Sequence, residues 1–273
     1  FMKFVKVLVM FSCSLFWLTA CQPAEQNQSV ETQPAAYAVS PPECSLTLGF
    51  DAWEPYQYMT VGNVVTGLDI ELARTIVAGM NCDLQIMQAS WVELLGMLRE
   101  GQIDFVLGAS LTPERQSFAH FSEPYRQERF ALYVRTEQAT LPYQDMRQFL
   151  AAGHKLGIVN DYYYGDEVAE LYADDKFNAQ FVGAIISEMN MARLLDEEID
   201  GFLEDSFVAT SILRRKGLDR FIEPHQISLG NSDVFVMFSK QSVEEQQVVQ
   251  FNDILRQLQN NGEYQRLMDK YQQ

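Results

Sequence analysis

Basic residues are scarce in this chain: its 273 residues include 20 lysines and arginines against 37 aspartates and glutamates, for a formal net charge of −17. Proteins that bind nucleic acid need a basic surface to meet the phosphates, so we expect no nucleic-acid partner. Histidine is rarer still, at three residues, and none stands beside a cysteine to complete a metal site. We therefore predict no metal and no other cofactor.

Long apolar runs are also lacking. The longest near the N-terminus, Val7–Trp17, is short for a membrane span and follows two lysines, so residues 1–20 are predicted to be a signal peptide. Leu18-Thr-Ala-Cys21 resembles the lipobox of bacterial lipoproteins, which makes Cys21 the predicted lipidation site. Residues 21–43, rich in Gln, Pro, Ala and Ser, are predicted to be a flexible tether, with membrane contact through the lipid only.

Of the four cysteines, only Cys44 and Cys82 fall in the folded part of the chain. Each immediately precedes a strand-like run, Ser45–Phe50 or Asp83–Met87, and one helix links the two runs as in a βαβ unit. The starts of such strands are neighbours, and disulfides persist in an exported compartment. We therefore predict a disulfide between Cys44 and Cys82.

Strand and helix patterns alternate through the first half of the domain. Apolar runs at Leu46–Phe50, Leu84–Met87 and Ile103–Leu107 predict strands, and amphipathic helices are expected to open at Thr66 and Ser90. Alternation of this kind is typical of an α/β fold with a parallel sheet, whose ligands lie at the carboxyl ends of the strands.

One such carboxyl end carries the stretch Asp104–Arg115. Gly108-Ala109 predicts a turn after the strand, and Thr112 is a suitable cap for a short helix. Free backbone N–H groups at this place attract an anion. Ser110 adds a hydroxyl, and Arg115 adds a guanidinium that fits a carboxylate. The plain alternative is a βα junction with a surface arginine.

Three aromatic residues are predicted at the same edge of the sheet. Trp53 and Tyr56 flank a proline in the loop after the first strand, and Trp91 opens the second helix. Core burial is a natural alternative for Trp91, and less so for the two loop residues. We expect all three to stack on the body of a ligand.

The chain resembles the polar-amino-acid-binding proteins of bacterial ABC importers, the family 3 extracellular solute-binding proteins, over about residues 44–273. The motifs that carry this resemblance are Gly49-Phe-Asp51, Pro55-Tyr56, Thr66-Gly-Leu-Asp69, Gly101-Gln-Ile-Asp104, Ser110-Leu-Thr-Pro-Glu-Arg115 and Phe121-Ser-Glu-Pro-Tyr125.

The resemblance implies a type II periplasmic-binding-protein fold with two α/β lobes, each a mostly parallel sheet flanked by helices. Lobe 1 is expected at 44–126 and 231–273, and lobe 2 at 127–230. The chain would cross between the lobes near Arg126–Glu128 and Leu229–Asn231, and these two segments would form a hinge.

The resemblance also implies the chemistry of the site. Arg115 and Ser110 would hold the α-carboxylate of an amino acid, and Asp205 would hold its α-ammonium. Asp51 lies near the place where binders of cationic amino acids keep an acid for the ligand side chain. The predicted ligand is therefore a polar or cationic amino acid.

The chain departs from the family pattern after the strand that contains Gly157–Val159. Where the family has hydroxyl residues that grip the carboxylate, this chain has Asp161-Tyr162-Tyr163-Tyr164, of which we expect Tyr163 to contact the ligand. Either the carboxylate is held less fully, or the ligand is not a standard α-amino acid.

The predicted function is that of a monomeric, lipid-anchored binding protein, in the periplasm or at the cell surface, that delivers its ligand to an ABC permease. A ligand-sensing lipoprotein without a permease is an alternative. An enzyme resembling the dehydratases of aromatic amino-acid biosynthesis is another, with Asp161 or Glu204 as its acid. We expect no enzyme, since no histidine falls at the predicted cleft rim.

Overall fold

The computed structural model describes residue 42 and residues 44–271. The predicted signal peptide, the lipidation site Cys21 and the predicted tether, apart from Pro42, lie outside these residues. Among the helices of the described part, none is both long enough and apolar enough to span a membrane.

Strands and helices alternate along the described chain. The strands are β1 (Cys44–Phe50), β2 (Tyr58–Met59), β3 (Val65–Thr66), β4 (Cys82–Gln88), β5 (Phe105–Ala109), β6 (Ala119–Phe121), β7 (Arg126–Glu128), β8 (Phe130–Arg135), β9 (Leu156–Val159), β10 (Phe181–Ala184), β11 (Gly201–Asp205), β12 (Ile222–Ser228) and β13 (Ser232–Ser239). The helices are α1 (Leu68–Gly79), α2 (Trp91–Glu100), α3 (Pro113–Gln116), α4 (Met146–Ala151), α5 (Asp166–Ala173), α6 (Ser187–Leu195), α7 (Ser206–Lys216), α8 (Glu245–Asn261) and α9 (Glu263–Tyr271).

Two separate sheets divide the molecule into two lobes. The first lobe contains the sheet β4-β1-β5-β13-β6, with β7 also paired to β13. The second lobe contains the sheet β10-β9-β11-β8-β12. In each sheet the first three strands are parallel, and the strands on the remaining side are antiparallel.

The chain passes between the lobes at two places. It leaves the first sheet after β7 and enters the second at β8, with Arg129 between the two strands. It returns between β12 and β13, across Leu229–Asn231. Both connections run side by side, because Leu229 N–H donates to the carbonyl of Phe130.

The disulfide prediction is confirmed, and the sheet register explains it. Cys44 and Cys82 are direct partners in the parallel pair β1–β4, with Cα atoms 4.6 Å apart, and they are joined by a disulfide.

The predicted N-terminus of α1 was two residues early. The helix begins at Leu68 because the preceding loop caps it, with Leu68 N–H donating to Pro55 O (3.1 Å) and Asp69 N–H to Tyr56 O (3.0 Å). Gly67 makes this approach possible, since a Cβ there would lie 2.2 Å from the Tyr56 carbonyl oxygen.

Other boundaries also moved. The predicted turn at Gly108-Ala109 is the end of strand β5, where Gly108 has φ +76° and the register with β13 shifts. The long helix α8 begins at Glu245, after a capping box formed by Glu244 and Gln247. The sequence patterns missed α5, β6 and β12, while the capping box at Ser90 and the Thr112 cap are confirmed.

Candidate functional site

A small cavity lies between the two lobes, at the carboxyl ends of the parallel strands. We call it the cleft cavity. Its volume is about 30 Å³. It is lined by Gly49, Asp51, Trp53, Gln57, Trp91, Leu94, Leu107, Gly108, Ser110, Arg115, Glu128, Phe130, Tyr162 and Tyr163.

The fold explains why distant segments meet here. Asp51 follows β1, Trp91 begins the helix after β4, and Ser110 follows β5. Because these three strands are parallel neighbours, the loops that follow them lie at the same edge of the sheet. Glu128 ends β7, the strand that leads to the second lobe.

Arg115 supplies the positive charge of the cleft cavity. Its side chain is buried, and its two Nη atoms donate to Ser110 O (3.0 Å) and to Asp161 O in the second lobe (2.8 Å). Within the described residues it has no carboxylate within 4.0 Å. Burial lowers the pKa of Arg115, although a guanidinium stays charged at any physiological pH. Its charge is therefore held by backbone carbonyls and not by an acid.

Three buried carboxylates lie in the lining of the cleft cavity (Asp51 and Glu128) or against its residue Trp53 (Glu204). Asp51, Glu128 and Glu204 are 9%, 4% and 1% exposed, and within residues 44–271 none has a basic nitrogen within 4.0 Å. Burial raises the pKa of Asp51 to about 6 and that of Glu128 and of Glu204 to about 7. Burying an ionised carboxylate without a counter-charge costs free energy, because the carboxylate loses its hydration. These three acids are therefore expected to favour the approach of a cation.

The hydrogen bonds of these acids hold them in place. Asp51 accepts from the N–H groups of Ala52 (2.8 Å) and Trp91 (3.2 Å), and Glu128 accepts from the Ser110 hydroxyl (3.3 Å). Glu204 lies behind Trp53 and accepts from its indole N–H (3.1 Å). These donors are neutral, so they do not balance the negative charges of Asp51 and Glu128, the two acids that line the cavity.

The aromatic wall of the cavity comes from both lobes. Tyr162 of the second lobe lies between Trp53 and Trp91 of the first, with ring centroids 6.1 and 6.0 Å away and an interplanar angle of 81° to each. The guanidinium of Arg115 lies 5.4 Å from the Trp91 ring centroid.

Six of the eight predicted ligand-binding residues line the cleft cavity: Asp51, Trp53, Trp91, Ser110, Arg115 and Tyr163. Tyr56 and Asp205 do not. The guanidinium carbon of Arg126 lies over the ring of Tyr56, 3.7 Å from the ring centroid. The Asp205 carboxylate caps α7 by accepting from Phe207 N–H (2.9 Å) and Val208 N–H (3.1 Å), and it also accepts from Arg129 N–H (3.1 Å).

A second buried arginine marks what we call the hinge cluster, formed by Asp69, Tyr125 and Arg126 with Tyr56 beside them. Arg126 Nε lies 3.3 Å from Asp69 Oδ1, and the Tyr125 hydroxyl donates to Asp69 Oδ2 (2.8 Å). Arg126 and Asp69 are 6% and 0% exposed. This ion pair joins α1 to the crossing strand β7.

Sequence reasoning missed Glu128 and Tyr162 as cavity residues. Glu128 falls in the segment predicted to cross between the lobes. An acidic residue in a hinge next to a cleft could have been predicted to face the ligand. For the tyrosine run no pattern decides which ring points inward. Asp161, with φ +60°, turns the backbone so that Tyr162 enters the cavity.

The histidines do not belong to the cavity lining. His225 Nε2 lies 2.8 Å from Leu141 O, and His154 Nε2 lies 2.9 Å from the Tyr143 hydroxyl. Across residues 44–271 no group of three or more His, Cys, Asp or Glu residues is arranged to hold a metal ion.

Two α/β lobes joined by two crossing segments, with a charged cavity between them, define a type II periplasmic-binding-protein fold. Solved structures confirm this class: the chain superposes on an ancestral arginine-binding protein bound to arginine with a TM-score of 0.73 and 18% identity, covering 83% of this chain and 97% of that one.

The chain belongs to the bacterial extracellular solute-binding proteins, family 3, whose model matches residues 46–273. The arginine-binding extracellular protein ArtP of Bacillus subtilis (strain 168) is 23% identical over 273 residues, covering 99% of this chain and 98% of that protein. A probable histidine-binding protein of Neisseria gonorrhoeae is 23% identical over 267 residues, covering 95% and 92%. Membership of an extracellular family places the chain in the periplasm or at the cell surface.

Proposed function

We propose that this protein captures a cationic amino acid between its two lobes and delivers it to the permease of an ABC importer. The observation that carries the proposal is a pair of buried carboxylates in the cavity lining, Asp51 and Glu128, that form no ion pair within residues 44–271. In the same lining and within the same residues, Arg115 has no carboxylate within 4.0 Å. Each unpaired charge has its complement on an amino acid with a basic side chain. The relatives named for arginine and histidine binding support the same ligand class.

Each group of the ligand has a proposed partner. Arg115, with the Ser110 hydroxyl close by, would bind the α-carboxylate bidentately. Glu128 and Asp51 line the cavity and would take the α-ammonium and the side-chain cation, and Trp53 and Trp91 would stack on the ligand stem.

The rest of the molecule would serve capture and delivery. The segments 44–126 and 231–273 would move as one lobe and 127–230 as the other, so that a ligand touching both lobes favours the closed state. Lipid on Cys21 would keep the monomer at the membrane, close to its permease. Binding without catalysis is proposed because the family is one of solute-binding proteins and because no histidine is among the residues that line the cavity.

A thermal-shift series tests the ligand class. We expect L-arginine, L-lysine or L-histidine to raise the melting temperature most, because a ligand at about a hundred times its dissociation constant stabilises by about 2.7 kcal/mol. L-citrulline is the matched control, since it has nearly the shape of arginine without its charge. A larger shift with L-glutamate or L-citrulline than with any cationic amino acid would refute the proposal.

A further inference from the structure

One carbonyl group in the loop between β9 and α5 makes two hydrogen bonds to the first lobe. Asp161 O accepts from Arg115 Nη2 (2.8 Å) and from the indole N–H of Trp91 (3.2 Å). The left-handed φ of Asp161, +60°, turns this carbonyl toward the first lobe. A backbone oxygen therefore accepts a hydrogen bond from the same guanidinium that we propose as the partner of the ligand carboxylate.

The next residue occupies the aromatic slot. The ring of Tyr162 meets both Trp53 and Trp91 edge to face, at the distances given above. Burial and the nearby charges of Asp51 and Glu204 raise the pKa of Tyr162 well above its usual value, so its hydroxyl is a neutral donor among these acids.

Little room is left beside this ring. A cavity of about 30 Å³ has room for roughly two or three water molecules, whereas sites for small ligands measure roughly 300–1,000 Å³. An amino acid therefore cannot enter the cleft cavity while Tyr162 stays in it.

The loop is held at both ends and has space on its other side. Asn160 N–H donates to Ala184 O (2.9 Å), and the Tyr164 hydroxyl accepts from Val159 N–H (2.8 Å), so both flanks of the Asp161–Tyr162 segment are fixed to the second lobe. A groove of about 720 Å³ borders the same segment on its outer side and offers room for a displaced ring.

We propose that Asp161 and Tyr162 form a built-in ligand mimic, which holds the two lobes together in the ligand-free protein and which an incoming ligand must displace. The Asp161 carbonyl stands in for a carboxylate on Arg115, and the Tyr162 ring stands in for the ligand body between the two tryptophans. The identity of the displacing ligand rests on the proposed function, but closure of the ligand-free protein does not.

Displacement has a measurable consequence for affinity. Suppose that a ligand binds only those molecules whose loop is withdrawn. Its apparent dissociation constant is then the intrinsic dissociation constant divided by the fraction of molecules in that state. If withdrawal is a minor state at the level of about 1–10%, removing the mimic tightens binding by about 10- to 100-fold.

Tryptophan fluorescence tests the mimic without any ligand. Trp53 and Trp91 flank Tyr162, and Trp17, in the predicted signal peptide, contributes equally to every variant. In Tyr162→Ala we expect emission at longer wavelength and stronger quenching by acrylamide. Tyr162→Phe, which keeps the ring, and Tyr172→Ala, which removes an exposed ring on α5, should match the wild type. Unchanged quenching in a folded Tyr162→Ala would overturn the inference.

Small-angle scattering of the wild type keeps the inference testable if Tyr162→Ala does not fold. The ligand-free protein should already have the radius of gyration of the closed structure, and addition of L-arginine should leave it unchanged. A clear contraction on adding L-arginine would show that the ligand-free protein is open and would overturn the inference.

Calorimetry with L-arginine separates this inference from the proposed function. Tighter binding by Tyr162→Ala supports displacement, and weaker binding shows that Tyr162 is a ligand contact and refutes it. If L-arginine binds to neither protein while the fluorescence difference is present, the proposed ligand is wrong and the ligand-free closure stands.

Discussion

The hinge cluster and the cleft cavity each contain a buried arginine, but the two arginines differ in whether a carboxylate balances the positive charge. In the hinge cluster Arg126 lies against Asp69, and the acid receives a further hydrogen bond from Tyr125. In the cleft cavity the side chain of Arg115 donates, among residues 44–271, to carbonyl oxygens and to no carboxylate, although Glu128 lines the same cavity. Charges balanced inside the chain stabilise the fold, while charges left without a counter-ion are available to a ligand.

The difference also separates stability from binding. The hinge ion pair connects α1 to a crossing strand, so its loss should act on unfolding. The cleft charges cost free energy in the ligand-free protein because burial removes their hydration. We expect variants in the two regions to have opposite profiles: loss of the hinge ion pair should lower the free energy of unfolding, and loss of a cleft charge should weaken ligand binding.

Asp69→Asn should lower the free energy of unfolding by about 3–5 kcal/mol, because it leaves Arg126 buried without its counter-charge. Urea denaturation measures the change. Glu114→Gln, which breaks the exposed pair with Arg99 at 3.6 Å, is the control and should cost less than about 1 kcal/mol. Equal losses in the two variants would contradict the structural role of the hinge cluster.

Arg115→Ala should weaken binding of a cationic amino acid by about 2–4 kcal/mol, roughly 30-fold or more, because the ligand carboxylate loses its charged partner. Calorimetry measures the affinity, and Arg99→Ala, which changes an exposed arginine, should bind like the wild type. Unfolding should respond less than it does in Asp69→Asn. A variant that keeps full affinity would remove Arg115 from the site.

The stability of the ligand-free protein should fall as the pH rises from about 5 to about 7.5. Glu128 and Glu204 have a pKa of about 7 in the folded state, above the value of 4.5 expected in the unfolded chain. Between these values the folded state binds more protons, so raising the pH favours unfolding, by on the order of 1–3 kcal/mol.

Urea denaturation at several pH values measures how the free energy of unfolding depends on pH. This dependence should be weaker in Glu204→Gln. Affinity for a cationic amino acid should change in the opposite direction and rise with pH, because deprotonation creates the charges that attract the ligand. Stability that rises through this window would show that the acids are paired in solution.

Asp205→Asn should have the smallest effect. One carboxylate oxygen caps α7, a role that asparagine fills about as well as aspartate. The other accepts from Arg129 N–H, which the amide nitrogen of asparagine cannot do, so we expect a loss of about 1 kcal/mol in stability. Affinity for a cationic amino acid should also be retained, whereas Glu128→Gln should lose it. Loss of binding in Asp205→Asn alone would restore the role that family resemblance implies for this acid.

Local sequence patterns predicted most of the elements that carry the site. Apolar periodicity located β1, β4 and β5, and capping residues located the starts of α2 and α3. Such signals depend on neighbours along the chain, so they are legible without a structure. Elements with weak patterns, such as the short α5 and the edge strand β12, were missed because tertiary packing stabilises them.

Local pattern and parallel-strand topology were enough to predict the α/β class, the cysteine pair and the set of loops that reach the cleft, while the two-lobe arrangement came from the family resemblance. Which charges are balanced could be seen only after the chain was folded. Asp205 and Glu204 are adjacent in sequence, yet one caps a helix and the other lies behind Trp53. Likewise Tyr162 enters the cavity, and Tyr164 packs on Phe130. Burial and partner depend on residues distant in sequence, which no local pattern encodes.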